Sequence, residues 1–488
     1  MSKYRRYLLA VAAAGATVVL TAPPALAEST PVTDPIPEQP IQSHLALTLQ
    51  EFAQFPKSET TPLPIDPRLM RFARINYIGE VPDHSGRLYT PDLNGKLYLL
   101  DRQGGTPHEY LDVGATFAPD FVSGRGLGTG FGFVAFHPKF AKNGKFYTVH
   151  SEWDAALINK TPDLTPQPNT RFHTVIDEWT ATDPRADTFS GTHREVLRIG
   201  VAGQIHAIQQ IDFNPTARVW DADYGLLYIA AGDGGQGAGN GNDDPQDLAI
   251  PQGKILRIDP LGTNSANGKY GIPASNPFVG QADKIGEIYA YGMRDPHRFS
   301  WDTGFGHRLF LGHIGEHAIE AVYDIRSGDN LGWPNREGAF VFNKADRCNL
   351  YTLPEDDAQF GYNYPVAAFD HDPPPGLPCT ADSGHAISGG FVYRGFRNLP
   401  LYGKYLFGDL VTGEIFYTNG NEMRRGQDRA PVHQLQVVDK TGKVVTMAEL
   451  AGSPRVDLRF GRDAKGELFL LSKANGKIWK ITGTRFVR

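Results

Sequence analysis

The sequence predicts an all-β chain, a six-bladed β-propeller with long inter-blade loops, and three observations carry that expectation. The first is a recurring lettering: a turn residue, a glycine, then a large hydrophobe beside an aromatic. Clear copies are Asn-Gly-Lys-Phe-Tyr at 143–147, Tyr-Gly-Leu-Leu-Tyr at 224–228 and Lys-Gly-Glu-Leu-Phe at 465–469, with looser ones at 85–89, 306–310 and 402–407. Second hairpin turns follow several of them, at 94–98, 412–416 and 475–479. Glycine supplies the positive φ of tight hairpin turns, and aromatics suit a half-buried pleated face. The second observation is composition: 54 Gly, 36 Pro, 28 Phe and 20 Tyr in 488 residues, without a long helical period, describe a turn-rich β protein. The third is spacing. Six copies over about four hundred residues give blades of roughly sixty to ninety residues, so long loops must join the strands.

The N-terminus reads as a targeting segment. Lys3, Arg5 and Arg6 form a basic region, Leu8 to Leu20 is apolar, and Ala25-Leu26-Ala27 fits a small-x-small cleavage site. Residues 1–27 are therefore expected to be a cleaved signal peptide, and the alanine-heavy core is too short for a spanning helix. Arg5-Arg6 before Tyr7-Leu8-Leu9 also resembles a twin-arginine export signal. The expected location is secreted or periplasmic, with no membrane span. Residues 28–66, rich in Pro and Thr, suit a linker within which Leu45 to Phe55 can form a short helix, and the propeller then occupies 67–488. Cys348 and Cys379 are the two cysteines, one candidate disulfide in an oxidising compartment. A formal net charge of −6 without a Lys/Arg stripe argues against a nucleic-acid partner. Propellers close without a second chain, so a monomer is the default.

The stretch with the most chemistry runs from His206 to Gly235. A histidine opens it, an alternating hairpin follows, and Gly-Asp-Gly-Gly at 232–235 closes it. Leu226, Tyr228 and Ala230 lie on one face of a strand and Leu227 and Ile229 on the other. His206 begins the first strand and Asp233 ends the second, so antiparallel pairing brings both to one rim. A base and a carboxylate that orients it form a catalytic dyad; a turn aspartate beside a surface histidine is the plainer reading of the same residues.

A family resemblance covers roughly residues 67–482. Gly-Phe-Gly-Phe-Val-Ala-Phe-His-Pro-Lys-Phe at 130–140, Gly-Asp-Gly-Gly at 232–235 and Gly-Lys-Ile-Leu-Arg-Ile-Asp-Pro at 253–260 carry it. So do Tyr-Gly-Met-Arg-Asp-Pro-His-Arg-Phe-Ser at 291–300, Gly-Trp-Pro-Asn-Arg-Glu-Gly at 332–338 and Ser-Gly-Gly-Phe-Val-Tyr-Arg-Gly at 388–395. In order and lettering the chain resembles the soluble dehydrogenases of glucose and other aldoses that depend on pyrroloquinoline quinone (PQQ), the glucose/sorbosone dehydrogenase family. The resemblance implies oxidation of an aldose sugar at C1, with hydride passing to the quinone and electrons leaving to an external acceptor. It implies that His206 is the general base, that Asp233 holds its imidazole, and that Arg294 steadies charge on the reduced quinone. It also implies a calcium ion on the backbone of Gly315 and Glu316, and contacts from Arg294, Asp295 and Arg394 to the cofactor.

Departures from the family pattern are equally specific. Asp295 stands where the glucose enzymes have asparagine, and Arg394 where they have a lysine. Two cofactor-clamping arginines fall near Thr412 and Glu414, where no cation stands. Ala207, Ile208, Gln209 and Gln210 follow the histidine, Gly128 and Thr129 replace a cofactor-contacting glutamine, and two ligands of a structural calcium map to Ala321 and Leu331. These departures favour an alternative: a non-catalytic propeller binding carbohydrate or protein at its mouth. A third class, a calcium-dependent lactonase, lacks a cluster of acidic ligands. The run Asn240 to Asp244 matches a calcium loop only loosely. Arg298, His297, His313, His317, His371 and His385 are further polar candidates near these segments, and sugar specificity is expected in loops at 155–190, 262–285 and 340–385.

Overall fold

The computed structural model describes residues 30–235, 243–304, 306–316, 318–370, 385–439 and 441–487. Antiparallel meanders make up most of it. Four-stranded sheets run through Gly79–Glu80, Leu88–Pro91, Lys96–Leu100 and His108–Asp112, and through Phe133–Phe136, Lys145–Glu152, Phe172–Ala181 and Gly191–Val201. The next takes Ile208–Phe213, Leu227–Ala231, Lys254–Ile258 and Ile288–Tyr291, and the one after it Asp295–Trp301, Leu309–Ile314, Ile319–Ile325 and Ala367–Asp370. Phe391–Val392, Lys404–Gly408, Ile415–Asn419 and His433–Val438 form the following meander. Leu458–Arg462, Leu468–Ser472 and Lys477–Phe486 complete the chain. First strands touch in succession: Ile208–Phe213 packs on Phe133–Phe136 and Asp295–Trp301, and Leu458–Arg462 on Gly79–Glu80. Last meets first, which makes the architecture all-β and propeller-like.

Each glycine repeat introduces the second strand of one of these meanders, at 85–89, 143–147, 224–228, 306–310, 402–407 and 465–469. Gly144 and Gly466 show why glycine is required, with φ of +65° and +79°. Alternation sorts the faces as expected: Leu227, Ile229 and Ala231 join one buried cluster, Tyr228 and Ala230 another.

Residues 41–54 overturn the linker and the short helix. Ile41–Gln54 is a strand, paired antiparallel with Lys477–Phe486 and parallel with His433–Val438. Leu45 and Leu47 are buried in the core, so the N-terminal strand supplies the fourth strand of the last meander. Leu45, Leu47 and Leu49 alternate at period two, not at the period of a helix. Pro31–Val32 pairs with Asp346–Tyr351 in a small extra sheet with Phe340–Asn343 and Arg336–Glu337. The expected loop at 155–190 contains the strand Phe172–Ala181. Cys348 is disulfide-bonded; Cys379, like residues 1–27, lies outside the described residues. No helix among the described residues is long and apolar enough to cross a membrane.

Candidate active site at the starts of the first strands

A cavity of about 370 Å³ lies where the first strands begin. Asn76, Gly132, His206, Asp295, His385 and Arg459 line it, one from each meander at or just before its first strand.

His206 is placed by local geometry. Its strand partner register runs from Ile208 opposite Ala231, which leaves His206 and Asp233 just beyond the paired ends. Its φ of +54° is in the left-handed region, which side chains avoid unless their surroundings hold them there. A Cβ on Gly232 would come within 2.5 Å of the His206 carbonyl, so glycine at 232 lets the two segments close. The result is a contact of 2.7 Å between Nδ1 of His206 and Oδ1 of Asp233. Gly235 N–H donates to the same oxygen at 2.9 Å, and the Trp333 indole to the other at 3.3 Å. Burial pushes the Asp233 carboxyl up, but the charge and hydrogen bond of the imidazole, with Arg294 and Gly235 N–H, hold it below the usual carboxylate range. An ionised Asp233 keeps the proton on Nδ1 and leaves Nε2 as the acceptor. Nε2 lies 3.9 Å from Oδ2 of Asp295.

Arg294 is oriented by its own neighbours. It donates to Glu316 at 2.7 Å and to the Gly315 carbonyl at 2.6 Å, while its backbone N–H donates to His313 Nε2 at 2.8 Å. Burial, with the nearby Arg294 charge, pushes His313 down to about 3, so it remains a neutral acceptor. The other Glu316 oxygen pairs with Arg347. His206, Asp233, Arg294, Asp295, Gly315 and Glu316 therefore stand together.

Arg394 does not. Its guanidinium holds Asp302 through two bonds of 2.7 Å, and it is not in the cavity wall. Asp302 follows the strand that Asp295 opens, and seven extended residues separate the two ends by about 20 Å. Thr412 and Glu414 are also outside the wall, which at that point is Leu410 and Val411. Ala321 and Leu331 are buried in an apolar cluster.

The wall carries cations that the motif comparison passes over. Arg68, Arg71, Arg74, Arg294, Arg347, Arg455, Arg459 and Lys473 line it, eight in all, against four acids: Asp295, Glu316, Glu320 and Asp457. Arg71 and Arg455 share Asp457, at 2.7 and 3.0 Å. Among the described residues Arg74, Arg459 and Lys473 make no ion pair. Burial pushes Arg74 and Arg459 down to about 10 and Lys473 well below the ordinary lysine range. The signals were the three-residue spacing of Arg68, Arg71 and Arg74, and the period-two run Arg455, Asp457, Arg459. A second imidazole–carboxylate pair, His385 Nδ1 to Asp409 Oδ2 at 2.8 Å, is also at the wall. No group of three or more His, Cys, Asp or Glu among the described residues is arranged to hold a metal ion. His317, His371 and residues 240–242 lie outside the described residues.

Comparison with known proteins agrees with the fold. The family model described as glucose/sorbosone dehydrogenase matches residues 78–443. The chain is 29% identical over 374 residues to the HIPL2 protein of Arabidopsis thaliana, covering 69% of this chain and 50% of that protein. To the Hedgehog-interacting protein of Homo sapiens it is 26% identical over 422 residues, covering 81% and 50%. The chain thus spans about half the length of these curated relatives. A PQQ-bound aldose sugar dehydrogenase from Streptomyces coelicolor superposes with a TM-score of 0.55 at 18% identity, covering 90% of this chain and 98% of that one. That likeness is one of fold.

Proposed function

The chain belongs to the glucose/sorbosone dehydrogenase family, and on that premise we propose that it is an exported sugar oxidoreductase that oxidises an aldose at C1 with PQQ and calcium. The six meanders then count as the six blades of one propeller, with Ile41–Gln54 closing the last. The carrying observation is the His206–Asp233 pair, whose Nε2 is left as an acceptor in a wall rich in buried cations.

The wall suits a tricarboxylate quinone on charge. Eight cations face four acids; with Arg68 neutralised by Asp66 outside the wall, the formal excess is three, and buried charges without a counter-ion are costly until an anion joins them. Arg74, Arg459 and Lys473 are the residues that would hold its carboxylates, with Arg294 nearby. When bound, the cofactor and its calcium would supply a hydride-accepting quinone and a Lewis acid. His206 Nε2 receives the proton released as the C1 hydroxyl is oxidised. Asp233 keeps the tautomer and stabilises the imidazolium, and Arg294 offers a fixed positive charge at the rim. The backbone carbonyls of Gly315 and Glu316 are oxygen donors of the type calcium takes; because the Gly315 carbonyl accepts from Arg294, a metal there competes with the guanidinium for it. The basic and apolar N-terminal segment and the disulfide at Cys348 support an oxidising, extracytoplasmic location.

That engagement of Arg294 also favours a second reading, a propeller that binds carbohydrate or protein at its mouth without catalysis. Aldose-dependent reduction of a dye, in the chain supplied with PQQ and calcium, separates the two. The oxidoreductase reading expects turnover that His206→Ala abolishes. Absence of turnover with every aldose tried, in a folded and cofactor-loaded chain, would overturn the oxidoreductase reading.

A further inference from the structure

Two neighbouring first strands carry a β-bulge at the cavity. Ile208 pairs with Ala231 and Gln210 with Ala230, which leaves Gln209 as the extra residue. Pro296 pairs with His313 and Arg298 with Gly312, which leaves His297. Bulges re-aim side chains and recur beside active sites, and Gln209 and His297 both line the cavity. Arg298 ties the bulges together, donating to the Gln209 carbonyl at 2.8 Å and the His297 carbonyl at 2.6 Å.

Side chains at this wall have unmet hydrogen-bonding capacity. Asp295 and His297 are 4% and 5% exposed, yet among the described residues Oδ1 of Asp295 and both ring nitrogens of His297 have no hydrogen-bond partner. Buried polar atoms are nearly always paired, so three orphans at one cavity wall point to something that pairs them. Burial, with the charge of Arg298, keeps His297 neutral, so its ring offers one donor and one acceptor. Asp295 offers two acceptors, one of them 3.9 Å from Nε2 of His206. One hydroxyl, with its single proton, can donate to Nε2 of His206. A second hydroxyl, on the adjacent carbon, can then meet Oδ1 of Asp295 or the His297 ring.

We propose that Asp295 and His297 form a hydroxyl-binding subsite beside His206 that selects ligands bearing a vicinal diol over those with a single hydroxyl at the reacting end. The proposal rests on the sugar reading and adds to it the feature of the sugar that is recognised. It gives Asp295 and His297 a specificity role distinct from the contacts to cofactor that the family resemblance implies for Asp295.

The test is titration calorimetry of the full chain supplied with calcium and pre-reduced PQQ, so that turnover adds no heat. Ligands are an aldose and its 2-deoxy analogue, and proteins are the wild type, Asp295→Ala and His297→Leu, each checked by thermal unfolding. The wild type should prefer the aldose by about tenfold or more. Asp295→Ala should bring the two ligands to within about twofold of each other, with affinity for the 2-deoxy sugar unchanged. Equal binding of both ligands by the wild type overturns the subsite, which then holds only water, and needs no variant to fold. Equal loss of both ligands in Asp295→Ala overturns it too. If the wild type binds neither sugar, the sugar reading itself falls, and the subsite with it.

Discussion

Nδ1 of His206 and Oδ1 of Asp233 meet at 2.7 Å across a hairpin that brings residues 27 positions apart to one rim. The carboxylate is fixed from outside the hairpin as well, by the Trp333 indole, and its backbone carbonyl accepts from Gln167 at 2.8 Å. An imidazole oriented this firmly can act at Nε2 without first searching for its tautomer.

Replacing Asp233 by Asn keeps the shape but removes the charge that favours Nδ1–H. Turnover should fall by about 10²- to 10⁴-fold, with PQQ affinity nearly unchanged, as initial rates and a binding titration would show. Because the folded carboxyl is held below its usual range, its stabilisation is present above about pH 4 and is lost as pH falls through the folded value. The gap in melting temperature between wild type and Asp233→Asn should therefore be open at neutral pH and close in acid.

On the proposed reading, Arg459 takes the cofactor-holding role that the family resemblance implies for Arg394. Arg459→Gln should weaken binding of PQQ or another polycarboxylate by about 1.5–3 kcal/mol, roughly ten- to a hundredfold. Arg394→Gln should leave that affinity unchanged and lower only stability, since its partner Asp302 lies at the other end of the strand. Parallel titrations of the two variants decide the matter.

Lys254 holds the loop behind the dyad. Its Nζ donates to the carbonyls of Asp244, Pro245 and Gln252 at 2.8, 3.2 and 2.6 Å, and Asp244 in turn accepts from Gln167. Lys254→Met leaves buried carbonyls unpaired and should cost about 2–4 kcal/mol, read as a lower denaturant midpoint with the slope unchanged.

His385 Nδ1 pairs with Oδ2 of Asp409 at 2.8 Å. Its hydrogen bond to Asp409 raises it above the ordinary imidazole value, so it contributes stability that is full below about pH 6.5 and fades as pH rises through the folded value. Asp409→Asn should lower the melting temperature at pH 5.5 and much less at pH 9, and a constant difference across that range would remove the ion pair from the account.

Hairpins and the dyad were legible because their causes are local. A turn glycine and period-two alternation mark a second strand wherever they occur, and antiparallel pairing alone brings His206 to Asp233. Ile41–Gln54 carries the same alternation, but its partners stand at the far end of the chain and its Pro- and Thr-rich flanks point to a linker. Arg394 was misplaced for a related reason. A motif gives order along the chain, whereas the end of the strand an arginine contacts decides whether it reaches the cavity. Arg455 and Arg459 alternate plainly in the sequence, yet only the ring of first strands turns that face toward His206.

Calorimetric titration of the chain with PQQ, in excess calcium and again in a chelator, tests the central claim most directly. The account predicts one site per chain, tight binding with calcium, weaker binding in the chelator, and loss of affinity in Arg459→Gln but not in His206→Ala. No binding at millimolar calcium by a folded chain would contradict it and leave the cationic cavity to a different anion.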